Sequence, residues 1–338
     1  AGYQPRCIDL FADQQTQAID PEAQRISGSQ WPTDLLDIAA TVDPSIPVIF
    51  TGGLENHPNI LRALVCNRPG LIDPDAVITT RDPQRLRQWA TDVNGRPLPV
   101  ADPADTDPGD GRRWVARRPS GTGGSGVRFW TGQNLAADET LHPLIDGRSV
   151  AAAFVGCPPD ARLIAVTEQI VSDPELGAAP FAAAGTLWPN DEIHPDAIKT
   201  LTALGRRIVA DTGLAGPFGI DAVVSGPDVW PMEINPRFTA GMGCVERATG
   251  ISFLDADVTA PPRPEQTFGR AVVFAREPTS TVDLSPLGHS VTDTTDPGEP
   301  VAVGDPICTV RAEAEDPSTC RDRLHALARK VYARHVDG

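Results

Sequence analysis

Two short segments, residues 219–224 and 230–238, restrict the possible folds of this chain more than any other part of it. The first alternates apolar and polar residues around Asp221, and the turn Ser-Gly-Pro-Asp separates it from the second. This pattern predicts a hairpin of two strands. Because side chains repeat every two residues along a strand, we expect one face of the second strand to carry Val229, Pro231, Glu233 and Asn235. Folding the hairpin brings Asp221 beside the last two.

The hairpin therefore gathers polar groups of one chemical type. Asp221 and Glu233 supply carboxylates, Asn235 supplies an amide oxygen, and Arg237 follows one step further along the same face. Mg²⁺ usually takes one or two carboxylates together with nucleotide phosphate oxygens. A single Asp or Glu is more often a solvated surface residue, but four functional groups on adjacent strands favour metal–phosphate chemistry. We predict Asp221, Glu233 and Asn235 as metal ligands, and Asn235 and Arg237 as catalytic residues, with Arg237 facing the bound anion.

Length, charge and cysteine spacing limit the class of protein. A chain of 338 residues with 40% hydrophobic residues is large enough for two or three packed units. It has no apolar run of roughly 18 residues, and no secretion signal opens it. Six scattered cysteines without a C-x-x-C pair indicate reduced thiols in a cytoplasmic protein. The net charge of −16 argues against nucleic acid as a partner.

The first hundred residues have the pattern of an α/β unit. Residues 6–11 and 46–50 are predicted strands, and the second strand leads into the loop Thr-Gly-Gly-Leu-Glu-Asn-His. Ligands of open α/β sheets bind at the carboxyl ends of strands, so we predict Gly53, Glu55 and Asn56 as substrate contacts. An ordinary glycine turn that caps a helix explains these residues equally well. The chain does not begin with Met, and we expect a strand and a Gly-rich turn to precede it.

A glycine-rich loop lies between two predicted strands in residues 114–130. Its glycines are Gly121, Gly123, Gly124 and Gly126, and Arg117 and Arg118 stand at its mouth. Glycine lets backbone N–H groups approach phosphate oxygens, although a flexible hairpin would have the same composition. No Gly-Lys-[Ser/Thr] follows and no helix follows, so neither a P-loop nor a dinucleotide fingerprint is present.

The order of these features resembles the ATP-grasp family of enzymes over roughly residues 5–260. The resemblance rests on Arg118-Pro with the glycine loop, on Ile145-Asp146-Gly147, and on Asp221 followed by the word Glu-Ile-Asn-Pro-Arg at residues 233–237. The motif at residues 233–237 is the most specific part of the resemblance. The chain is most similar to uncharacterised ATP-grasp enzymes that share the Gly-Leu-Glu-Asn-His-Pro loop and the Gly-Asp-Pro-Ile-Cys-Thr-Val tail. Genes of that group tend to accompany genes for methanopterin- or methanofuran-type cofactors.

The resemblance implies an α/β and α+β architecture, the ATP-grasp fold with an N-terminal Rossmann-like pre-ATP-grasp domain. We expect that domain in residues 1–105 and the ATP-grasp lid in 106–190. The metal-binding lobe is expected in 191–262, and a small C-terminal β-rich segment with a terminal helix in 263–338. ATP is expected between the lid and the lobe.

The resemblance also implies ATP and Mg²⁺ (or Mn²⁺) as cofactors. The expected nucleotide contacts are Arg118, Gly121, Gly123, Gly124, Gly126, Ile145 and Asp146. The family usually has Lys where this chain has Arg118, so Arg117 and Arg118 are both open as the phosphate ligand. A second family Lys would fall near Arg81 or Arg85. Asp146 corresponds to a ribose contact, and a turn residue before Gly147 is the alternative.

The implied reaction is ATP-dependent ligation of an acid to an amine. A substrate carboxylate attacks the γ-phosphorus, and an amine then attacks the acyl phosphate to give an amide, ADP and phosphate. The expected partners are a small-molecule acid and amine, with no nucleic acid and no membrane, and a homodimer is left open. The pathway link is cofactor biosynthesis. The alternatives are a biotin-carboxylase-like or phosphotransfer ATP-grasp enzyme and a non-catalytic nucleotide-binding module.

Overall fold

The computed structural model of the chain describes residues 4–66, 68, 73–91, 93, 98, 111–118, 123–190, 192–255, 257–294 and 296–336. The helices are α1 Gln14–Ile19, α2 Leu35–Ala40, α3 Pro58–Val65, α4 Pro74–Thr80, α5 Pro83–Ala90, α6 Pro195–Thr212, α7 Ala240–Thr249 and α8 Pro317–Val336. The first strands are β1 Ile8–Asp9, β2 Gln24–Arg25, β3 Trp114–Arg117, β4 Val127–Trp130, β5 Thr140–Pro143, β6 Arg148–Cys157, β7 Asp160–Val171 and β8 Ala183–Trp188. The others are β9 Gly216–Ser225, β10 Asp228–Asn235, β11 Thr267–Phe274, β12 Thr279–Ser280, β13 Val291–Thr292, β14 Pro300–Val301 and β15 Pro306–Ala314. Short 3₁₀ turns occupy Leu54–Asn56, Pro174–Leu176 and Ser285–Ser290.

An eight-stranded sheet in the order β10-β9-β6-β7-β8-β11-β15-β13 forms the centre of the molecule. Its pairings are antiparallel. The sheet crosses the expected segment boundaries. Strands within residues 148–188, expected in the lid, pair with the hairpin strand β9, and β11 and β15 from the expected C-terminal segment extend the same sheet. The metal-binding lobe and the C-terminal segment therefore share one sheet.

One face of this sheet is covered by two helices and buries apolar side chains. Under α6 lie Ala152, Val166 and Ile220, which occupy neighbouring strands. Under α8 lie Ala271 and Val310, a directly opposed pair on β11 and β15. We call this the helix-covered face. Its side chains alternate with polar ones because successive residues of a strand point to opposite faces.

The opposite face carries a row of polar side chains and is called the polar face. Its members, one each on β9, β7, β8, β11 and β15, are Asp221, Gln169, Thr186, Arg270 and Arg311. Helix α7 packs on the neighbouring apolar part of this face through Met242, Cys244 and Val245. The polar row therefore lies beside α7.

The hairpin of β9 and β10 confirms the predicted pairing but corrects the predicted face. Asp221 lies opposite Glu233, and a bulge interrupts the register between Pro231 and Glu233. The extra residue moves Val229 and Pro231, which pair with Val224 and Ala222, to the helix-covered face. Glu233 and Asn235 therefore stand on the polar face without the two residues that were expected beside them.

A separate three-stranded sheet, β4-β3-β5, forms the lid and buries Trp114, Ala116 and Leu141. The lid loop lies against residues 181–183 of the large lobe. Gly123 O accepts a hydrogen bond from Ala183 N at 3.0 Å, and the rings of Phe129 and Phe181 are 4.6 Å apart. The lid is thus held near the polar face.

The N-terminal region is built mainly of helices that pack on α6. Trp89 of α5 is buried and donates Nε1–H to Asp211 Oδ2 of α6 at 2.9 Å. The predicted strand at residues 46–50 is wrong: this stretch is not a strand, and Ile46 and Ile49 are exposed. Pro47, which has no N–H for a sheet ladder, explains the difference. The predicted strand 6–11 shortens to β1, which pairs in parallel with β2.

Candidate active site

The predicted carboxylates and amide converge at the end of the hairpin. Asp221 Oδ2 accepts a hydrogen bond from Asn235 Nδ2 at 2.9 Å, and the same nitrogen lies 3.5 Å from Glu233 Oε1. Gln169 on β7 reaches across β6 and donates Nε2–H to Asp221 Oδ1 at 3.0 Å. Gln169 was not predicted, because a single polar residue in an alternating strand does not reveal which neighbour it meets.

The environment of Asp221 opposes its ionisation. Burial, followed by the negative charge of Glu233, raises the pKa of Asp221 to about 7. Its hydrogen-bond donors are neutral amides, so its charge lacks a directly bonded cation. Within the described residues no group of three His, Cys, Asp or Glu side chains converges to hold a metal. A divalent cation here would take oxygen from Asp221, Glu233 and Asn235, and a bound nucleotide would complete its shell.

Glu233 faces two arginines from other parts of the chain. Arg117, at the end of lid strand β3, places Nη2 3.2 Å from Glu233 Oε2. Arg81 lies just after α4, and its Nη1 is 3.8 Å from the same oxygen. The same nitrogen donates a hydrogen bond to Ile234 O at 3.0 Å. The two cations connect the lid and the N-terminal helices to Glu233 on β10.

Arg237 is fixed by a buried carboxylate. Its Nε donates to Glu55 Oε1 at 2.6 Å, and its Nη2 donates to Asn235 Oδ1 at 3.2 Å. The Glu55 side chain is 1% exposed, and its Oε2 has no hydrogen-bond partner among the described residues. Arg237 and Asn235, the two expected catalytic residues, are therefore adjacent.

The predicted substrate loop lies on this end of the hairpin. Asn56 Oδ1 accepts a hydrogen bond from Arg81 Nη2 at 3.3 Å. Gly53 has a φ of +86°, and a Cβ there would come 3.2 Å from the Trp31 ring. The loop lies beside the hairpin although residues 46–50, directly before it, do not form a strand.

The lid arginines diverge. Arg118 is half-exposed, with Nε 3.6 Å from Asp138 and 3.8 Å from Glu139. Glu139 also bonds Arg128, and this hydrogen bond is the main reason why its pKa falls to about 2. Successive residues of β3 point in opposite directions, so Arg117 and not Arg118 faces Glu233. Arg118 therefore stays a prediction as the phosphate ligand, and Arg117 is the lid arginine that lies beside the carboxylate cluster.

The glycines of the lid loop have different structural requirements. Gly121 lies outside the described residues. Gly123 and Gly124 have φ of +57° and +85°, and a Cβ on Gly124 would come 1.9 Å from Phe181 O. Gly126 O accepts a hydrogen bond from Arg118 N at 2.9 Å, which closes the loop. Close packing and positive φ thus account for glycine at positions 123 and 124.

Ile145 and Asp146 follow the lid strand β5 and are not joined to the carboxylate cluster. Asp146 is exposed, and its Oδ1 lies 2.5 Å from Arg113 Nη2. A Cβ on the next residue, Gly147, would come 2.6 Å from Val224 O. Close packing against β9 therefore explains this glycine.

His142 on β5 is a feature that the sequence did not predict. Burial, followed by the charges of Arg117 and Arg87, lowers its pKa to about 4. The ring is therefore neutral near pH 7, and Nε2 lies 3.0 Å from Thr140 Oγ1. A lone His between apolar residues carries no sequence pattern that would reveal this position.

Comparison with known proteins identifies the fold. A family model described as an ATP-grasp domain matches residues 92–241. The formate-dependent phosphoribosylglycinamide formyltransferase of Cupriavidus metallidurans is 38% identical over 50 residues, which are 15% of this chain. The matched stretch spans only 12% of the length of that relative.

Two solved structures are similar over most of the chain. One is the biotin carboxylase domain of 2-oxoglutarate carboxylase from Hydrogenobacter thermophilus in complex with MgADP, ADP and bicarbonate. Its TM-score is 0.70 at 12% identity, over 94% of this chain and 83% of that one. The other is an L-amino acid ligase from Bacillus licheniformis, with a TM-score of 0.64 at 12% identity over 98% of both chains. The family match and these similarities confirm the predicted ATP-grasp fold.

Proposed function

Because the chain carries an ATP-grasp domain, we propose that it is an ATP-dependent enzyme that joins a carboxylate to an amine. The observation that carries this proposal is the cluster of Asp221, Glu233 and Asn235 with Arg237 beside it. Burial beside a second carboxylate raises the pKa of Asp221 to about 7, so its negative charge is costly there. A hairpin with a purely structural role has no need for such a costly arrangement. The names of two similar proteins, an L-amino acid ligase and a formyltransferase that uses phosphoribosylglycinamide, agree with ligation to an amine.

The donors of the cluster fit a magnesium ion that binds together with ATP. Two carboxylates and one amide are oxygen donors, and Asp221 is hydrogen-bonded only by neutral amides in the protein. Asp221, Glu233 and Asn235 would hold the ion. When bound, Mg²⁺ would neutralise charge on the phosphate oxygens that are transferred.

The protein's own cations have separate tasks in this proposal. Arg237, held by Glu55, is oriented to bind the anionic group that forms during transfer. Arg117 and Arg81, both near Glu233, provide positive charge for the nucleotide phosphates once the metal binds Glu233. We also assign the lid glycines, Ile145 and Asp146 to the nucleotide side of the site.

The reaction proceeds in two balanced steps. An oxygen of the substrate carboxylate attacks the γ-phosphorus of ATP, and the bond to the β-phosphate oxygen breaks, releasing ADP. The amine nitrogen then attacks the acyl carbon, the bond to the phosphate oxygen breaks and phosphate leaves, and the nitrogen gives its proton to water. The Glu55 side chain is buried and accepts a hydrogen bond from Arg237, so Glu55 acts on this step by orienting Arg237.

Calorimetry with ADP and Mg²⁺ tests the nucleotide site. We expect wild type to bind, and Glu233→Gln to lose Mg²⁺-dependent binding because one metal ligand loses its charge. Glu315→Gln, an exposed glutamate that pairs with Arg323, is the matched control and should bind as wild type. Failure of the full-length wild type to bind MgADP would overturn the proposal.

A carboxylase is the second candidate, and the similarity to a biotin carboxylase domain favours it. Measuring which added compounds cause ADP release distinguishes the ligase from the carboxylase. A ligase releases ADP only when both an acid and an amine are added, whereas a biotin-carboxylase-like enzyme releases it with bicarbonate. A phosphotransfer enzyme would instead transfer phosphate to a protein or small-molecule acceptor. A non-catalytic module would bind MgADP and release nothing.

The proposed function extends to the compartment and the pathway. We assign the enzyme to the cytoplasm and to biosynthesis of a methanopterin- or methanofuran-type cofactor, with small-molecule partners and a homodimer as the assembly to test. In the part of the chain that the structure describes, no helix has the length and apolarity to span a bilayer.

A further inference from the structure

The polar face continues beyond the candidate metal site to a group of arginines. Gln169, which bonds Asp221, lies opposite Thr186, and Thr186 lies opposite Arg270. Arg270 in turn lies opposite Arg311 on β15. Four strand steps, about 19 Å of backbone, separate β9 from β11, and the long side chains shorten this gap. The arginines therefore lie on the active-site face, at a distance from the metal ligands.

These arginines are poorly neutralised. Arg270 Nη2 lies 3.4 Å from Asp293 Oδ2, and Asp293 is also the carboxylate that favours the charge of Arg311. Burial, together with the charges of Arg247 and Arg270, lowers the pKa of Arg311. Arg270 and Arg311 thus share one carboxylate, and Arg247 adds a third positive charge near Arg311, although the whole chain has a net charge of −16.

The arginines of the helix-covered face are different. Arg148 Nη1 and Arg321 Nη2 lie 2.7 and 2.8 Å from the two oxygens of Glu168. That pair is neutralised internally, as expected for a structural network. Arg148 also pairs with Glu192, and Arg321 with Asp173, whereas the arginines of the polar face have only Asp293 among the described ion pairs. A cluster with fewer carboxylates than guanidinium groups is suited to an anion supplied from outside.

A buried hydroxyl supports an external ligand at the same place. Thr292 on β13 lies opposite Thr309, which precedes Arg311 by two residues and shares its face. Thr292 is 8% exposed, and its Oγ1 has no hydrogen-bond partner among the described residues. Helix α7 borders the same place, since a Cβ on Gly243 would lie in ordinary contact with Arg270 Nη1, at 3.7 Å. A donor without a partner and three cations therefore adjoin one another.

We propose that Arg270, Arg311 and Arg247, with the Thr292 hydroxyl, bind an anionic group of the substrate remote from the reacting carboxylate. This rests on the proposed ligase function and specifies its substrate as an elongated molecule with a second carboxylate or a phosphate. The guanidinium groups match the planar, two-oxygen edge of either anion.

The test separates this site from the nucleotide site. The nucleotide site is first filled with Mg²⁺ and a non-hydrolysable ATP analogue, and inorganic phosphate is then titrated by calorimetry. We expect wild type to bind phosphate, and the double variant Arg270→Gln/Arg311→Gln to bind it at least about tenfold more weakly. Arg329→Gln, an exposed arginine of α8 that pairs with Glu175, is the matched control and should behave as wild type.

A second variant, Asp293→Asn, gives a result that misfolding cannot mimic. Removing the one carboxylate should strengthen phosphate binding about threefold, and an unfolded variant cannot gain affinity. A parallel titration with glutarate, compared with the phosphate titration, distinguishes a carboxylate-bearing from a phosphate-bearing substrate. Wild type should bind glutarate more tightly than its monomethyl ester, which has one negative charge fewer.

The outcomes distinguish the two proposals. If the ATP analogue fails to bind, the ligase function is overturned, and the phosphate titration is read on the free protein. If the analogue binds but phosphate and glutarate do not, or if the double variant binds them as wild type does, the anion site is overturned and the ligase function stands.

Discussion

Glu168 and Asp221 are two carboxylates of the same sheet with opposite surroundings. Glu168 stands on the helix-covered face between α6 and α8, where Arg148, Arg321 and Asn190 all donate to it. Asp221 stands on the polar face, where its donors are the amides of Gln169 and Asn235. Both carboxylates are largely removed from water.

The difference indicates which carboxylate serves the fold and which serves a ligand. A buried charge that brings its own cations is stable by itself, and its removal leaves the partners unpaired. A buried charge bonded only to neutral amides keeps a raised pKa and favours the arrival of a cation. Substitution of Asp221 should therefore change metal and nucleotide binding, whereas substitution of Glu168 should change the stability of the fold.

The largest effect is expected for Asp221→Asn. The neutral amide removes one charged metal ligand, so Mg²⁺-dependent affinity for ADP should fall at least about a hundredfold. The free energy of unfolding at about pH 8 should not fall, because the variant also removes the repulsion with Glu233. Calorimetry and urea denaturation measure the two quantities. A variant that unfolds more easily but binds MgADP normally would contradict the contrast with Glu168.

Glu168→Gln should produce the opposite result. Losing the charge leaves Arg148 and Arg321 without their shared partner, and the free energy of unfolding should fall by about 2 kcal/mol after allowance for their partial exposure. Affinity for MgADP should remain. Glu175→Gln, an exposed residue paired with Arg329, is the matched control and should change stability by less than about 0.5 kcal/mol. Equal losses in the two variants would mean that the Glu168 network contributes no more than a surface pair.

Arg117 and Arg118 allow a comparison on the polar face itself. Arg117→Gln should weaken MgATP binding about tenfold, because Arg117 faces Glu233 and the cleft beneath the lid. Arg118→Gln should weaken it about twofold or less, because Arg118 faces Asp138 and Glu139. Dissociation constants of the two variants, measured side by side, decide the matter. A larger loss in Arg118→Gln would reverse the assignment of the phosphate ligand.

The smallest effect concerns pH. Mg²⁺ competes with a proton on Asp221, whose pKa is about 7, so MgADP affinity should rise about fourfold between about pH 6.5 and about pH 8. The folded pKa lies above the unfolded value of 3.8, so the stability contribution of this group is present at low pH and is lost as pH rises through about 7. Asp221→Asn is the control and should bind with no such rise, after correction for the titration of ADP itself. An equal rise in the variant would assign the pH dependence to another group.

Local patterns predicted several parts of the fold correctly. The alternation around Asp221 and the intervening turn predicted the hairpin and the pairing of Asp221 with Glu233. The word Glu-Ile-Asn-Pro-Arg, with the order of the other motifs, led to the ATP-grasp fold, which the family match confirms.

Other parts could not be predicted because they depend on distant contacts. The bulge between Pro231 and Glu233 has no reliable local sign, and it reversed the face expected for Val229 and Pro231. Which of Arg117 and Arg118 faces Glu233 depended on the direction in which β3 presents its side chains, and the phosphate ligand itself stays a prediction. The roles proposed for the lid glycines, Asp146 and the substrate loop remain predictions.

Residue types and spacing set the chemistry available at the hairpin: two carboxylates, an amide and an arginine. The neighbours of those groups come from the way distant segments pack together. This packing brought Gln169 to Asp221 and Glu55 to Arg237, and it aligned Arg270 with Arg311 on the same face. The physical reason is that spacing along a strand sets which side chains share a face. Strand order, by contrast, joins segments far apart in the chain and sets the charge and burial around each side chain.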